Sequence, residues 1–138
     1  MSSLEVALSA TRIEAWALIA RNQARRYDLA AAQAARIEIG PAQARRTAGD
    51  LGGDLAEARK FIAKLFKSLR PNDFAHVETM PQRVGRPLHG DVYGKESNGK
   101  AWFIKFRFED GNTTVLMSCH EPEHPLELVD GRTLRSLK

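Results

Sequence analysis

The feature that most constrains this chain is a change of hydrophobic period part-way along it. Before Pro71 the apolar side chains recur at steps of three and four, the spacing of one helix face. Beyond residue 80 they alternate, the spacing of a strand with one buried side. A chain of 138 residues that carries both periods in that order is expected to be α+β. The expected architecture is a set of N-terminal helices, then a helix packed on a twisted antiparallel sheet of three to four strands. Composition divides at the same place, since 17 of the 19 alanines precede Pro71. This places a helical extension at residues 1–50 and an α+β domain at residues 51–138.

In the first half, Leu4, Leu8, Ile13, Trp16, Ala17, Ala20, Ala24, Tyr27, Ala31, Ala34 and Ala35 form one helical stripe. Gly40-Pro41 stops it, a short helix runs to Arg46, and Gly49, Gly52 and Gly53 mark a loop. Asp54 then opens a helix as its cap, three residues before Glu57. Leu55, Ala58, Phe61, Ile62, Leu65, Phe66 and Leu69 make a stripe that must pack on something. Lys60, Lys64 and Lys67 occupy other faces and read as solvated, and Pro71 ends the run.

Strands are expected at 88–94, 101–108 and 113–120. Asn98-Gly99 and Asp110-Gly111 join them, two dipeptides that tolerate the positive φ of tight hairpins. On the middle strand Trp102, Ile104, Phe106 and Phe108 share a face opposite Phe103, Lys105 and Arg107. Simple alternation on the third sets Val115, Met117 and Cys119 against Thr114, Leu116, Ser118 and His120, with Cys119 on the core side. A short fourth strand is expected around 126–129.

Charge and cysteine usage narrow the class. The net charge is +4 and uneven: residues 1–70 hold 12 basic and 7 acidic side chains, residues 71–138 hold 9 and 10. A basic excess fits nucleic acid without demanding it. The lone Cys119 excludes an internal disulfide framework and reads as a small buried hydrophobe. No apolar run approaches the roughly 18 residues of a membrane span, and the first residues lack the pattern of a signal peptide. A cytoplasmic protein with no membrane partner is expected.

Four histidines, at 76, 89, 120 and 124, all fall in the strand half. Imidazoles trade protons near neutrality without a metal, and Lys105 and Arg107 are placed to neutralise a phosphorane-like transition state. That set suits cleavage of RNA through its own 2′-OH. His120, His76 and His89 are the expected proton carriers, with Tyr93 as an auxiliary donor and Arg83 and Arg86 as further substrate contacts. His120 and His124 also invite a metal reading. Zinc pairs of that spacing stand on a helix, which Pro122 and Pro125 forbid, so neither metal nor cofactor is expected.

Four stretches carry a resemblance: Leu69-Arg-Pro-Asn-Asp-Phe74, His89-Gly-Asp-Val-Tyr93, Trp102-Phe-Ile-Lys-Phe106 and Val115-Leu-Met-Ser-Cys-His-Glu121. In this order they resemble the MqsR toxins, RelE-like ribonucleases of bacterial toxin–antitoxin systems, over roughly residues 55–121. The resemblance implies metal-independent cleavage of messenger RNA, restrained by a cognate antitoxin protein. Asp91-Val92-Tyr93 and Lys105 match as they stand. The lysine that follows the family's Asp-Phe falls on His76, and the lysine of its closing strand falls on His120. The family's tyrosine before the strand lysine falls on Phe103, a side chain able to stack on a base. Its glutamine falls on Gly90, one place from His89.

The expected function is therefore a toxin that cuts single-stranded RNA by general acid/base chemistry. Two rivals stand beside it: a non-catalytic nucleic-acid-binding regulator of the same fold, and a protein-interaction module whose helical half is the interface. For residues 1–50, packing on the toxin domain, homodimerisation and capture of a partner all remain open.

Overall fold

A computed structural model describes residues 24–136. The elements run as α1 (Leu29–Ala34), β1 (Arg36–Ile39), α2 (Pro41–Leu51), α3 (Leu55–Ser68), a 3-10 turn (Pro71–Asp73), β2 (Phe74–Met80), β3 (Leu88–Ser97), β4 (Lys100–Glu109), β5 (Thr113–His120), β6 (Leu126–Glu127) and β7 (Thr133–Leu134). The class is α+β, as expected. The sheet is larger than expected, with five strands in the order β1-β5-β4-β3-β2, while β6 and β7 pair separately. It is also mixed, because β1 runs parallel to β5. Among the described residues no helix is long and apolar enough to cross a membrane.

The β3–β4–β5 meander follows the sequence closely. Asn98-Gly99 and Asp110-Gly111 take positive φ in its two turns. Asp54 caps α3, its carboxylate accepting from the Glu57 N–H at 2.8 Å. The stripe of α3 buries Ala58, Ile62, Leu65 and Phe66 against the sheet face that carries Tyr93, Trp102, Ile104 and Phe106.

The first half departs from expectation. Residues 24–28 are not helical, and Tyr27 leaves the stripe: the Arg26 and Tyr27 N–H groups each donate to the Asp91 carboxylate at 3.0 Å. Helix begins only at Leu29, where Asp28 caps α1. The earlier part of the expected stripe, Trp16 included, lies outside the described residues. Beyond α1, Arg36-Ile-Glu-Ile39 forms β1 at the sheet edge instead of continuing the helix. Helix α2 runs past Arg46 and through Gly49 to Leu51, because Ala44 and Thr47 are buried one turn apart and Gly52, at φ 80°, supplies the C-cap. The expected boundary at residue 50 falls inside α2, and Leu29 and Ala32 share one core with the sheet.

Two β-bulges set which side chains face which way. Phe74 pairs with Tyr93 and His76 with Val92, so Ala75 is an extra residue in β2. Lys105 pairs with Ser118 and Phe106 with Leu116, so Met117 is an extra residue in β5. Each inserted residue reverses the parity beyond it. The alternation expected on the third strand is corrected accordingly: Thr114, Leu116 and Cys119 face the helices, while Ser118 and His120, itself buried, stand on the other face with Lys105 and Phe103.

Among the described residues, that other face is only half covered. Leu126, Leu128 and Leu134, from the β6–β7 hairpin and its flank, pack on Ala75, Val92 and Ala101. Gly94 permits this approach, since a Cβ there would stand 2.6 Å from Leu126 Cδ2 and 2.9 Å from Leu134 Cδ1. The Val129 N–H donates to the Phe74 carbonyl, and Arg132 reaches the buried Asp73 at 2.7 Å. Among the described residues nothing else covers the remainder of the face, and there the cleft lies.

Candidate active site

Three strands contribute to a cleft of about 310 Å³ on the open face. Strand β2 supplies His76 and Glu78, β4 supplies Phe103 and Lys105, and β5 supplies Ser118 and His120. The segment that follows β5 forms a wall with Glu123, His124 and Pro125. His76 and His120 lie on strands three spacings apart, about 14 Å between backbones. They therefore stand at opposite sides of a floor made by Lys105 and Phe103.

Each of the two imidazoles is held through one nitrogen. His120 Nδ1 lies 2.7 Å from the Glu121 carbonyl oxygen, which only accepts, so Nδ1 carries the hydrogen and Nε2 is left to work. Its ring lies flat on Phe103, centroids 5.0 Å apart and planes 13° from parallel. His76 Nε2 stands 3.0 Å from Glu78 Oε2, which leaves Nδ1 as its working nitrogen. The other carboxylate oxygen of Glu78 accepts from Lys105 Nζ at 3.2 Å. Burial acts to raise the Glu78 carboxyl, but the hydrogen bonds from His76 and Lys105 prevail and hold it below its ordinary range.

The wall is tied to helix α2. Arg46 meets Glu123 at 2.5 Å, and its guanidinium holds that exposed carboxyl below the usual range. The Glu121 N–H donates to Asp50 at 2.8 Å, and the buried Thr47 hydroxyl donates to the Cys119 carbonyl at 2.6 Å. Three residues of one helix thus fix the chain on both sides of His120.

Of the residues expected from the sequence, His76, His120, Lys105 and Phe103 converge on this cleft. Phe103 has one ring face covered by His120 and also packs on the hairpin's apolar cluster, so it positions the imidazole instead of offering a free stacking surface. His89 does not join them. It bonds Thr79 through Nδ1 at 2.8 Å, and its carbonyl accepts from the Tyr27 hydroxyl. Tyr93 is fully buried on the helix side, and burial pushes its hydroxyl up to about 12, which removes it from proton transfer in the cleft. Arg107 shares the strand face of Lys105 but is paired with Glu109 at 2.7 Å, outside the cleft. Arg83 and Arg86 are exposed in the connection between β2 and β3 and do not line it. Cys119 is buried, which pushes its thiol up to about 12.

Sequence reasoning missed Glu78 and the role of the wall. The signal for Glu78 was its two-residue spacing from His76, which becomes meaningful only once residues 74–80 are recognised as a strand. His124 lines the same cleft as His120, but among the described residues no three His, Cys, Asp or Glu side chains converge as a metal-binding group.

No protein-family model matches this chain, nor does any curated protein or solved structure.

Proposed function

We propose that this protein is a ribonuclease of the RelE-like toxin type, cutting single-stranded RNA at the cleft between β2 and β5 without a metal ion. The observation that carries the reading is the convergence of His76, Lys105 and His120 in one cleft. These are the three positions at which the resemblance to the MqsR toxins implies cationic or proton-transferring groups. They come from three strands and share one face of the sheet, across the two bulges.

In the proposed reaction, His120 Nε2 takes the proton of a ribose 2′-OH. The 2′-oxygen attacks the adjacent phosphorus, and the bond to the 5′-oxygen breaks. His76, on the opposite side, gives a proton to that departing oxygen through Nδ1, leaving a 2′,3′-cyclic phosphate and a 5′-hydroxyl. The attacking and leaving oxygens of an in-line displacement stand on opposite sides of phosphorus, which suits a base and an acid at opposite walls. Lys105 stabilises the charge that builds on the non-bridging oxygens. Glu78 orients His76 and Lys105, one carboxylate oxygen to each.

The test is incubation of the purified full chain with single-stranded RNA in the presence of a chelator, beside His120→Ala and His76→Ala. Cleavage giving cyclic-phosphate ends, reduced at least 100-fold by either change, is expected. Growth arrest on induced expression, relieved by His120→Ala, is expected for the toxin reading. Bound but intact RNA would leave a nucleic-acid-binding regulator in its place.

A further inference from the structure

On the helix side of the sheet, away from the cleft, α3 carries two parallel lines of side chains. Phe61, Lys64, Leu65 and Ser68 recur at helical spacing and line a groove of about 400 Å³, closed on its other side by Lys95 and the Asn98 turn. Lys60, Lys64 and Lys67 run alongside as an exposed ridge. Between residues 58 and 72 the chain has five cations and no carboxylate. Elsewhere in the described fold Arg36, Arg46, Arg107 and Arg132 meet acidic partners. No acidic partner among the described residues stands against the three ridge lysines. The groove floor is apolar, with half-buried Phe61 resting on Trp102 at 4.7 Å.

We propose that this groove docks an acidic amphipathic helix of a partner protein. Its apolar side chains lie on Phe61 and Leu65, and its carboxylates follow the Lys60–Lys64–Lys67 ridge. Charge complementarity selects an acidic partner, and the adjoining apolar floor selects a protein helix over a nucleic acid, whose phosphates would use the ridge and leave the floor uncovered. The surface lies on the opposite side of the sheet from the cleft, so the inference stands independently of the ribonuclease reading.

The test uses the full chain with Trp16→Phe, so that Trp102 fluorescence reports on the groove. The probe is a 14-residue helical peptide with leucines on one face and glutamates on the other. A scrambled peptide of the same composition and a short single-stranded RNA are the comparisons. The ordered peptide is expected to perturb Trp102 and to bind at least tenfold more tightly than the scrambled one. Lys64→Glu combined with Lys67→Glu is expected to weaken binding at least tenfold with the circular dichroism unchanged. Should that pair unfold the chain, the paired alanine substitutions are expected to weaken binding in the same direction. Equal binding of the scrambled peptide, displacement of the ordered peptide by the RNA, or absence of binding would each overturn the proposal.

Discussion

Lys105 lies across the bare backbone of Gly90, whose missing side chain makes room for it: a Cβ at Gly90 would stand 2.7 Å from Lys105 Cγ and 3.1 Å from Met117 Sδ. The lysine stem crosses β3 at this gap and meets Glu78 on the far strand. Gly90→Ala is expected to push the lysine aside and lower the rate of RNA cleavage at least tenfold. Because Lys105 Cγ is held close to its own backbone, a loss of about 1–3 kcal/mol by urea denaturation is expected alongside, and the rate is compared on the folded protein. A full-rate variant would remove Lys105 from the reaction.

Glu78 predicts a pH signature. Its carboxyl sits below the ordinary value of 4.5, as the His76 and Lys105 hydrogen bonds outweigh the effect of burial. A depressed value in the folded state means that Glu78 contributes stability above its unfolded value, and that this is lost as pH falls through the folded value. The melting temperature of the parent should therefore fall more steeply than that of Glu78→Gln between about pH 5 and pH 3. At neutral pH the same substitution is expected to reduce cleavage about tenfold, since His76 and Lys105 lose their common anchor.

In the proposed reaction Phe103 acts through His120, on whose ring it lies. Phe103→Leu keeps an apolar side chain but loses the flat ring, so His120 should lose orientation. The expected result is a fall in kcat of about tenfold with KM nearly unchanged, restored by Phe103→Tyr. A rise in KM alone would indicate that the ring contacts RNA.

Asp91 is a fastener. Its two oxygens satisfy the N–H groups of Arg26 and Tyr27, while burial raises its own carboxyl above the ordinary range. Asp91→Ala leaves both donors without their acceptor, at about 1–3 kcal/mol each where they remain dry. Chemical denaturation should show the loss, with the cleft residues unaffected in the folded fraction.

The sequence made some of this legible and hid the rest for identifiable reasons. The meander was plain because alternation and two positive-φ dipeptides agreed on it. The edge strands were not. Arg36-Ile-Glu-Ile39 is four residues long and follows an alanine-rich helix, and Phe74–Met80 gains its meaning from the Ala75 bulge. His120 was assigned to the open face by simple alternation, which also placed Leu116 there. The bulge at Met117 turns Leu116 to the core and leaves His120 on the cleft face, so one placement held and the other did not. His89 and Tyr93 were expected together and do lie together, but on the helix side. A single strand's parity says which residues are companions and leaves the choice of face to the neighbouring strands.

The two bulges also bear on how such a cleft can arise. Were Ala75 and Met117 taken into regular pairing instead of bulged out, alternation from Phe74 and from Leu116 would turn His76 and His120 toward the helices, among the aromatic side chains of the core. Each strand instead sets one residue outside the regular pairing, and both imidazoles stay on the face that carries Lys105. The face on which this chemistry sits is thus set by register, and removing Ala75 or Met117 outright would leave each imidazole on the side it already occupies.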